Sequence, residues 1–274
     1  MALSWSAMWL KGPRAPEREP ALVRAQMLCE QLRDNTELME ALVALAISCY
    51  GRSDFERARE LAGRVLVTAQ HLDSPAIVAG AHAVLGVVGF STGQFQTARV
   101  HFEQAVALFD ADPARIRFYG AYLAINASNI LVGVLLILGY PLGARSRANM
   151  LLTTARRSSD PPSIAVALFS YGMHHIVLRD TGMVAERADE LFSIAAEHEI
   201  AMSLIAATFL RGWAAAAAGR TEEGIAEMRR AVSDPMTAEL VSTSLMLAAL
   251  PETCGKHGQA GEGLDWVAKG LATA

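Results

Sequence analysis

The adjacent imidazoles of His174 and His175 and the triplet Glu197-His198-Glu199 are the clusters in this chain that could suggest a metal ion. Neighbouring histidines point to different faces of a helix. Glu-His-Glu also lacks the H-E-x-x-H spacing that sets two ligands on one face. These side chains are therefore read as packed or solvated, and no metal or cofactor is expected. A Ser/His/Asp relay would need its nucleophile on a sharp strand-to-helix elbow, and no such context is visible. The G-x-x-x-x-G-K-[ST] loop that cradles phosphates is absent from the sequence. No catalytic residue is assigned, and the chain is read as a non-enzyme. Arg145, Arg147, Arg156 and Arg157 are expected on an outer, solvated helix face, with an anionic partner as the less favoured reading.

The elements that must position these residues follow from composition. With 274 residues, the chain suits one or two domains or one extended array. Hydrophobic residues make up 52% and aromatics only 7%, so alanine and leucine must supply most of the core. A net charge of −4 without clustered Lys/Arg argues against nucleic acid, whose phosphates demand a basic face. Cys29, Cys49 and Cys254 share no short spacing and lie in apolar helical contexts, as expected of reduced thiols in a cytoplasmic protein. The opening MALSWSAMWLKG has its lysine after the apolar run and lacks a small-x-small cleavage site, unlike a signal peptide. Residues 118–144 carry no charge and are long enough to span a bilayer. Asn126, Ser128 and Asn129 within them, and Gly139 and Pro141 at their end, favour a helix buried between other helices instead. No membrane contact is expected.

The run LRGWAAAAAGRTEEGIAEMRRAVSDP over residues 210–235 shows what is repeated. Its alanines end one helix, Gly219 can take the left-handed conformation that closes it, and Thr221 is the expected N-cap of the next. Glu222 and Glu223 then suit the start of that helix, Arg229 and Arg230 its end, and Asp234-Pro235 stops it. The same hairpin recurs as Gly93-Gln-Phe95-Gln-Thr-Ala98 followed by Phe102 and Ala105. Gly139 to Ala144 is followed by Ala148 and Leu151, Gly219 to Gly224 by Met228 and Ala231, and Gly258 to Gly263 by Val267. Phe55 and Ala58 keep the pattern without the glycine, and Ala188-x3-Phe192-x2-Ala195 repeats its second half. Small residues at 58, 98, 144, 188, 224 and 263 stand 40, 46, 44, 36 and 39 apart, the period of an α-solenoid.

The expected fold is all-α, a right-handed α-solenoid of six to seven antiparallel helix hairpins. Residues 1–274 would form a single array, with units near 1–35 (partial), 36–75, 76–115, 116–160, 161–200, 201–235 and 236–274. The first helices, over residues 37–49, 76–90, 118–138, 163–178, 201–218 and 237–254, are the more apolar and should line an inner, concave wall. Residues 20–33 should be the second helix of an earlier unit, whose first helix would be the short 3–10 piece.

Leu85-Gly86, Gly93-x-Phe95, Ala98, Phe102 and Ala105 resemble the tetratricopeptide-repeat (TPR) pattern in its long-helix form. Gly139-Tyr140-Pro141, Ser163-x-Ala165-x-Ala167-Leu168-Phe169, Glu186-Arg187-Ala188, Arg211-Gly212-Trp213-Ala214, Glu222-Glu223-Gly224-Ile225 and Gly255-Lys256-x-Gly258-Gln259 narrow the likeness. They are similar to the carboxy-terminal repeats of bacterial regulators that join an adenylate/guanylate cyclase, or another output module, to a P-loop ATPase. Those relatives often carry Asp-Pro soon after Tyr-Gly, where this chain reads Tyr119-Gly-Ala-Tyr-Leu-Ala. The resemblance implies only the sensor or scaffold part, because neither the P-loop nor the paired aspartates of a cyclase are present.

Groove-facing positions on first helices are the binding candidates: Asn126 and Asn129, Tyr171 and His174, and Trp213. Such a mixture of amide, phenol, imidazole and indole suits a protein or peptide ligand. Gly86, Gly93, Phe95, Ala98, Phe102, Ala105, Gly139, Ala144, Gly219, Gly224, Ala231, Gly258 and Gly263 are assigned to packing between helices and repeats. The leading reading is a non-catalytic interaction scaffold, the alternative a small-molecule sensor controlling an attached ATPase or cyclase. Exposed terminal repeats could allow self-association.

Overall fold

The computed structural model describes residues 18–32, 35–69, 74–111, 120–239 and 243–273. The 3–10 helix expected from the sequence and the residues at Phe118 and Tyr119 lie outside them. Thirteen α-helices and no strand occur among the described residues. In order they are α1 (Arg18–Leu32), α2 (Asn35–Gly51), α3 (Phe55–Ala69), α4 (Pro75–Ser91), α5 (Phe95–Ala111) and α6 (Gly120–Ile137). Then come α7 (Pro141–Ser158), α8 (Pro161–Val177), α9 (Thr181–Glu197), α10 (Ala201–Ala217) and α11 (Thr221–Ser233). A 3-10 helix, Pro235–Glu239, precedes α12 (Thr243–Lys256) and α13 (Ala260–Thr273). The last first helix therefore starts later than the expected residue 237. The Thr237 hydroxyl donates to the Ala231 carbonyl at 2.5 Å and holds that segment in a tight turn instead.

One turn closes each of the six hairpins among the described residues. A residue with positive φ follows each first helix: Ser53 (64°), Gly93 (73°), Gly139 (80°), Arg179 (61°), Gly219 (94°) and Gly258 (81°). The amide of the residue after it donates back to the fifth carbonyl before, as from Gln94 to Gly89 at 2.8 Å, Asp180 to His175 at 3.0 Å and Arg220 to Ala215 at 2.9 Å. This is the Schellman closure, which satisfies carbonyls that a helix end leaves orphaned. The six turns stand 40, 46, 40, 40 and 39 residues apart. The fourth repeat is thereby rephased: Val184, fully buried, occupies the place expected for Ala188, which is buried one turn further on. Arg179 hid the true phase because it stands where four of the other turns carry glycine and the fifth serine.

Thr221 is likewise corrected, from N-cap to first helical residue. The bond from the Arg220 amide fixes the turn one residue earlier, and Arg220 takes the cap position without a side-chain bond. Asp160 and Asp180 are true caps, accepting from the Ser163 and Met183 amides at 2.9 and 3.2 Å.

The chain divides into two compact units, Met1–Pro141 and Leu142–Ala274. Successive helices pack in sequence, α1 to α6 in the first and α8 to α13 in the second, and first helices also pack on first helices, α2 on α4 and α4 on α6, then α8 on α10 and α10 on α12. Second helices are amphipathic: α3 buries Ala58, Leu61, Ala62, Val65 and Ala69, the i, i+3, i+4, i+7 stripe of a helix with one wet face. First helices are buried more completely, α2 without a break over residues 41–49 and α8 over residues 167–176.

Small residues set the closest approaches. A Cβ added to Gly224 would lie 2.3 Å from the Gly212 carbonyl oxygen and 2.5 Å from the Ala216 amide nitrogen, so α10 and α11 touch backbone to backbone. On α4, a Cβ at Gly86 would lie 2.8 Å from the Phe102 ring, and one at Gly89 3.3 Å from the Ala98 amide. Phe102, Ala98, Ala105, Ala144 and Ala231 are all buried, whereas Gly93, Gly139, Gly219 and Gly258 make no close approach among the described residues and serve the turns instead. Gly263 approaches the Pro251 carbonyl, with 3.0 Å left for a Cβ. Phe95 contributes through its ring, edge-on to Phe90 at 5.9 Å.

Candidate functional site

Of the five groove candidates, Asn126 and Asn129 on α6 are half-buried, with part of each side chain open to solvent. The three aromatic ones are enclosed: Tyr171 is 9%, His174 1% and Trp213 5% exposed. The expectation that they face an open wall is corrected by the packing of α8 and α10 on their neighbours, which leaves those helices little free surface.

Tyr171 stacks on His175 at 4.5 Å between ring centroids, and the Arg187 guanidinium lies 5.6 Å from the Tyr171 centroid. His174 meets His175 edge-on at 5.3 Å. Neither ring nitrogen of His174 has a hydrogen-bond partner among the described residues. Burial, then the neighbouring His175 and Arg145, hold its pKa down to about 4. Burial also lowers His175, outweighing the Asp180 carboxylate, whose oxygen is 3.3 Å from Nδ1 but not aligned for a hydrogen bond. Both rings are neutral at pH 7. Among the described residues no group of three or more His, Cys, Asp or Glu converges as a metal centre.

Trp213 does reach a cavity, though from inside the second unit. The cavity is about 120 Å³, lined by Arg179, Thr181, Trp213, Ala217, Thr253, Lys256 and His257. These residues come from three successive turns: Arg179 between α8 and α9, the end of α10 beside Gly219, and His257 between α12 and α13. The Arg179 guanidinium donates to Glu252, and the Lys256 ammonium meets the same carboxylate at 3.0 Å. Burial alone would raise the Glu252 pKa, but hydrogen bonds from Lys256 and Arg179 bring it below the usual carboxylate value. The Thr221 hydroxyl and His257 Nδ1 lie 3.2 Å apart. The result is an indole wall, two hydroxyls and a rim of two cations that share one carboxylate.

Sequence reasoning found Trp213 but missed Arg179, Glu252, Lys256 and His257. Arg179 was within reach, because the 40-residue phase of Gly139 and Gly219 points to position 179. The others are brought in by packing alone.

Exposed Arg156 donates to Glu190 on the next hairpin at 2.6 Å, and half-buried Arg187, on the same helix as Glu190, donates to it as well at 2.6 Å. Half-buried Arg211 donates back to Asp189 on the preceding hairpin at 2.8 Å while lying 3.8 Å from the Phe192 centroid. Cys49 and Cys254 are buried free thiols as expected, whereas Cys29 is only half-buried. Helix α13 leaves Leu264, Val267 and Leu271 exposed. No helix among the described residues is long and apolar enough to cross a membrane.

Comparison with solved structures identifies the architecture. The chain has a TPR-like helical-repeat fold. It is similar to aspartyl phosphate phosphatase F from Bacillus subtilis, with TM-score 0.77 and 12% identity over 99% of this chain and 68% of that one. A Rap protein complexed with Competence and Sporulation Factor gives TM-score 0.62 and 11% identity, covering 92% of this chain and 84% of that one. A tetratricopeptide repeat protein from Parabacteroides merdae matches with TM-score 0.55 and 10% identity, over 100% of this chain and 91% of that one. No family model matches the sequence. No curated protein matches it either.

Proposed function

We propose that this protein is a non-catalytic, TPR-like scaffold that binds a protein or peptide, and that its two units belong to one repeat array. The observation that carries this reading is the cavity walled by Trp213 and rimmed by Arg179, Lys256 and His257. It combines an apolar body with fixed polar groups at its mouth, the combination that anchors a side chain of a partner. Its volume of about 120 Å³ is below the roughly 300 Å³ of the smallest usual metabolite pockets, which disfavours the small-molecule-sensor alternative. The likeness in fold to a Rap protein that was captured with Competence and Sporulation Factor supports the same role. The resemblance at Arg211-Gly212-Trp213-Ala214 and Glu222-Glu223-Gly224-Ile225 is what supports reading this scaffold as part of a bacterial cyclase–ATPase type of signalling regulator.

The test is a peptide library screened by thermal shift, followed by calorimetry on the tightest binder. Trp213→Ala and Arg179→Ala should each weaken that binder about tenfold or more. Stabilisation by small metabolites but by no peptide would favour the sensor. Turnover of any substrate by the purified chain would remove the non-catalytic part of the reading.

A further inference from the structure

His82 on α4 and His101 on α5 point their Nδ1 atoms at each other, 2.9 Å apart, with ring centroids 5.2 Å apart and planes tilted by 39°. At the metal–imidazole distance of about 2.0–2.1 Å, nitrogens 2.9 Å apart subtend about 90° at a shared ion. Tetrahedral coordination would instead need them about 3.3 Å apart. We propose that His82 and His101 form a two-imidazole clamp for a tetragonal divalent transition ion, Cu²⁺ in preference to Zn²⁺. Imidazole suits copper and nickel, a 90° pair is the cis edge of their square-planar or tetragonal geometry, and copper stands highest in the order of divalent affinities.

The backbone holds this clamp ready. His82 lies one helical turn before Gly86, and His101 directly precedes Phe102, whose ring packs where a Gly86 Cβ would be. Farther along the same pair of helices, Gly89 abuts the Ala98 amide. Helices so closely apposed cannot spread without losing these contacts, so the backbones that carry the two rings are fixed before an ion arrives and only the rings must turn their Nδ1 lone pairs towards it.

The protonation states also suit an ion. Without metal, one Nδ1 must carry the proton and donate to the lone pair of the other. With metal, that proton moves to Nε2 of the same ring, and both Nδ1 lone pairs bind the ion. The exchange is a tautomer shift that releases no net proton when both rings are neutral. Burial lowers both pKa values, and His101 lowers His82 further, so the neutral rings persist below pH 6.5. Among the described residues no third protein ligand joins the pair, so water would complete the coordination sphere.

The experiment is a Cu²⁺ titration of the full chain, free of any histidine tag, followed by electron paramagnetic resonance. The expected result is one saturable site per chain, a raised thermal midpoint, and hyperfine splitting from two equatorial imidazole nitrogens. His82→Gln and His101→Gln should each weaken binding about tenfold or more, whereas His198→Gln should leave it unchanged. Should either clamp variant fail to fold, the spectrum of the unaltered protein decides by its nitrogen count. A single nitrogen, no saturable site, or equal affinity in folded clamp variants and the starting protein would overturn the assignment.

Discussion

The hairpins α8/α9 and α10/α11 share the same Schellman turn but fill it differently. In α10/α11, Gly219 closes the turn, Ala215 lies four residues before it, and Gly212 meets Gly224 across a gap too small for any Cβ. In α8/α9 the matching positions hold Arg179, His175, Gly172 and Val184. The left-handed backbone is thus accepted by a residue that dislikes it, at a cost of about 1–2 kcal/mol. What the arginine supplies is reach: its guanidinium meets Glu252, 73 residues away, on the rim of the cavity. One hairpin therefore uses its small residues for close contact, and the other places a buried imidazole pair and a cation in the same frame.

The contrast is broken most severely at Gly224. Gly224→Val must push apart two backbones and should cost about 3 kcal/mol or more, measured by urea unfolding. An unchanged midpoint would show that α10 and α11 are not in that contact.

Acid acts on the other hairpin with similar force. His174 has a folded pKa of about 4 against 6.5 for the free side chain. The unfolded chain takes up its proton first, so the contribution is fully present above pH 6.5 and is lost as pH falls towards 4. The whole loss is about 3 kcal/mol. His174→Leu should flatten that part of the stability–pH curve, whereas a curve of the same slope would place the acid sensitivity elsewhere.

A smaller effect is expected at the rephased position. Val184→Ala removes two fully buried methyl groups and should cost about 2 kcal/mol, while the same change at exposed Val100 should be close to neutral. The turn residues give the smallest difference. Gly219→Ala should destabilise by about 1 kcal/mol. Arg179→Gly should change stability by less than about 1 kcal/mol, because relief of strain offsets an exposed ion pair. It should nonetheless weaken peptide binding, separating the turn's role in folding from its role in recognition.

Much of this was legible in the linear chain. Gly93, Gly139, Gly219 and Gly258 mark their own turns, since few other residues tolerate that backbone. Ala98, Phe102 and Ala105 declare a helix stripe by spacing. The fourth repeat was misphased because Arg179 carries no turn preference, and Ala188, one helical turn beyond Val184, mimics the small residue. Tyr171, His174 and Trp213 were expected on an open surface. Polarity alone does not tell which side of a helix its neighbours will cover.

Local chemistry determined by itself that this chain makes antiparallel α-hairpins about forty residues long. Turn preference and helix periodicity act within a few residues, and the sequence displays them directly. Only the folded packing decided which side chains meet: His82 with His101, Gly212 with Gly224, Arg179 with Glu252. Such pairings depend on how one helix rotates against another. That rotation is set by the fit of many buried side chains at once, and no short stretch of sequence contains it.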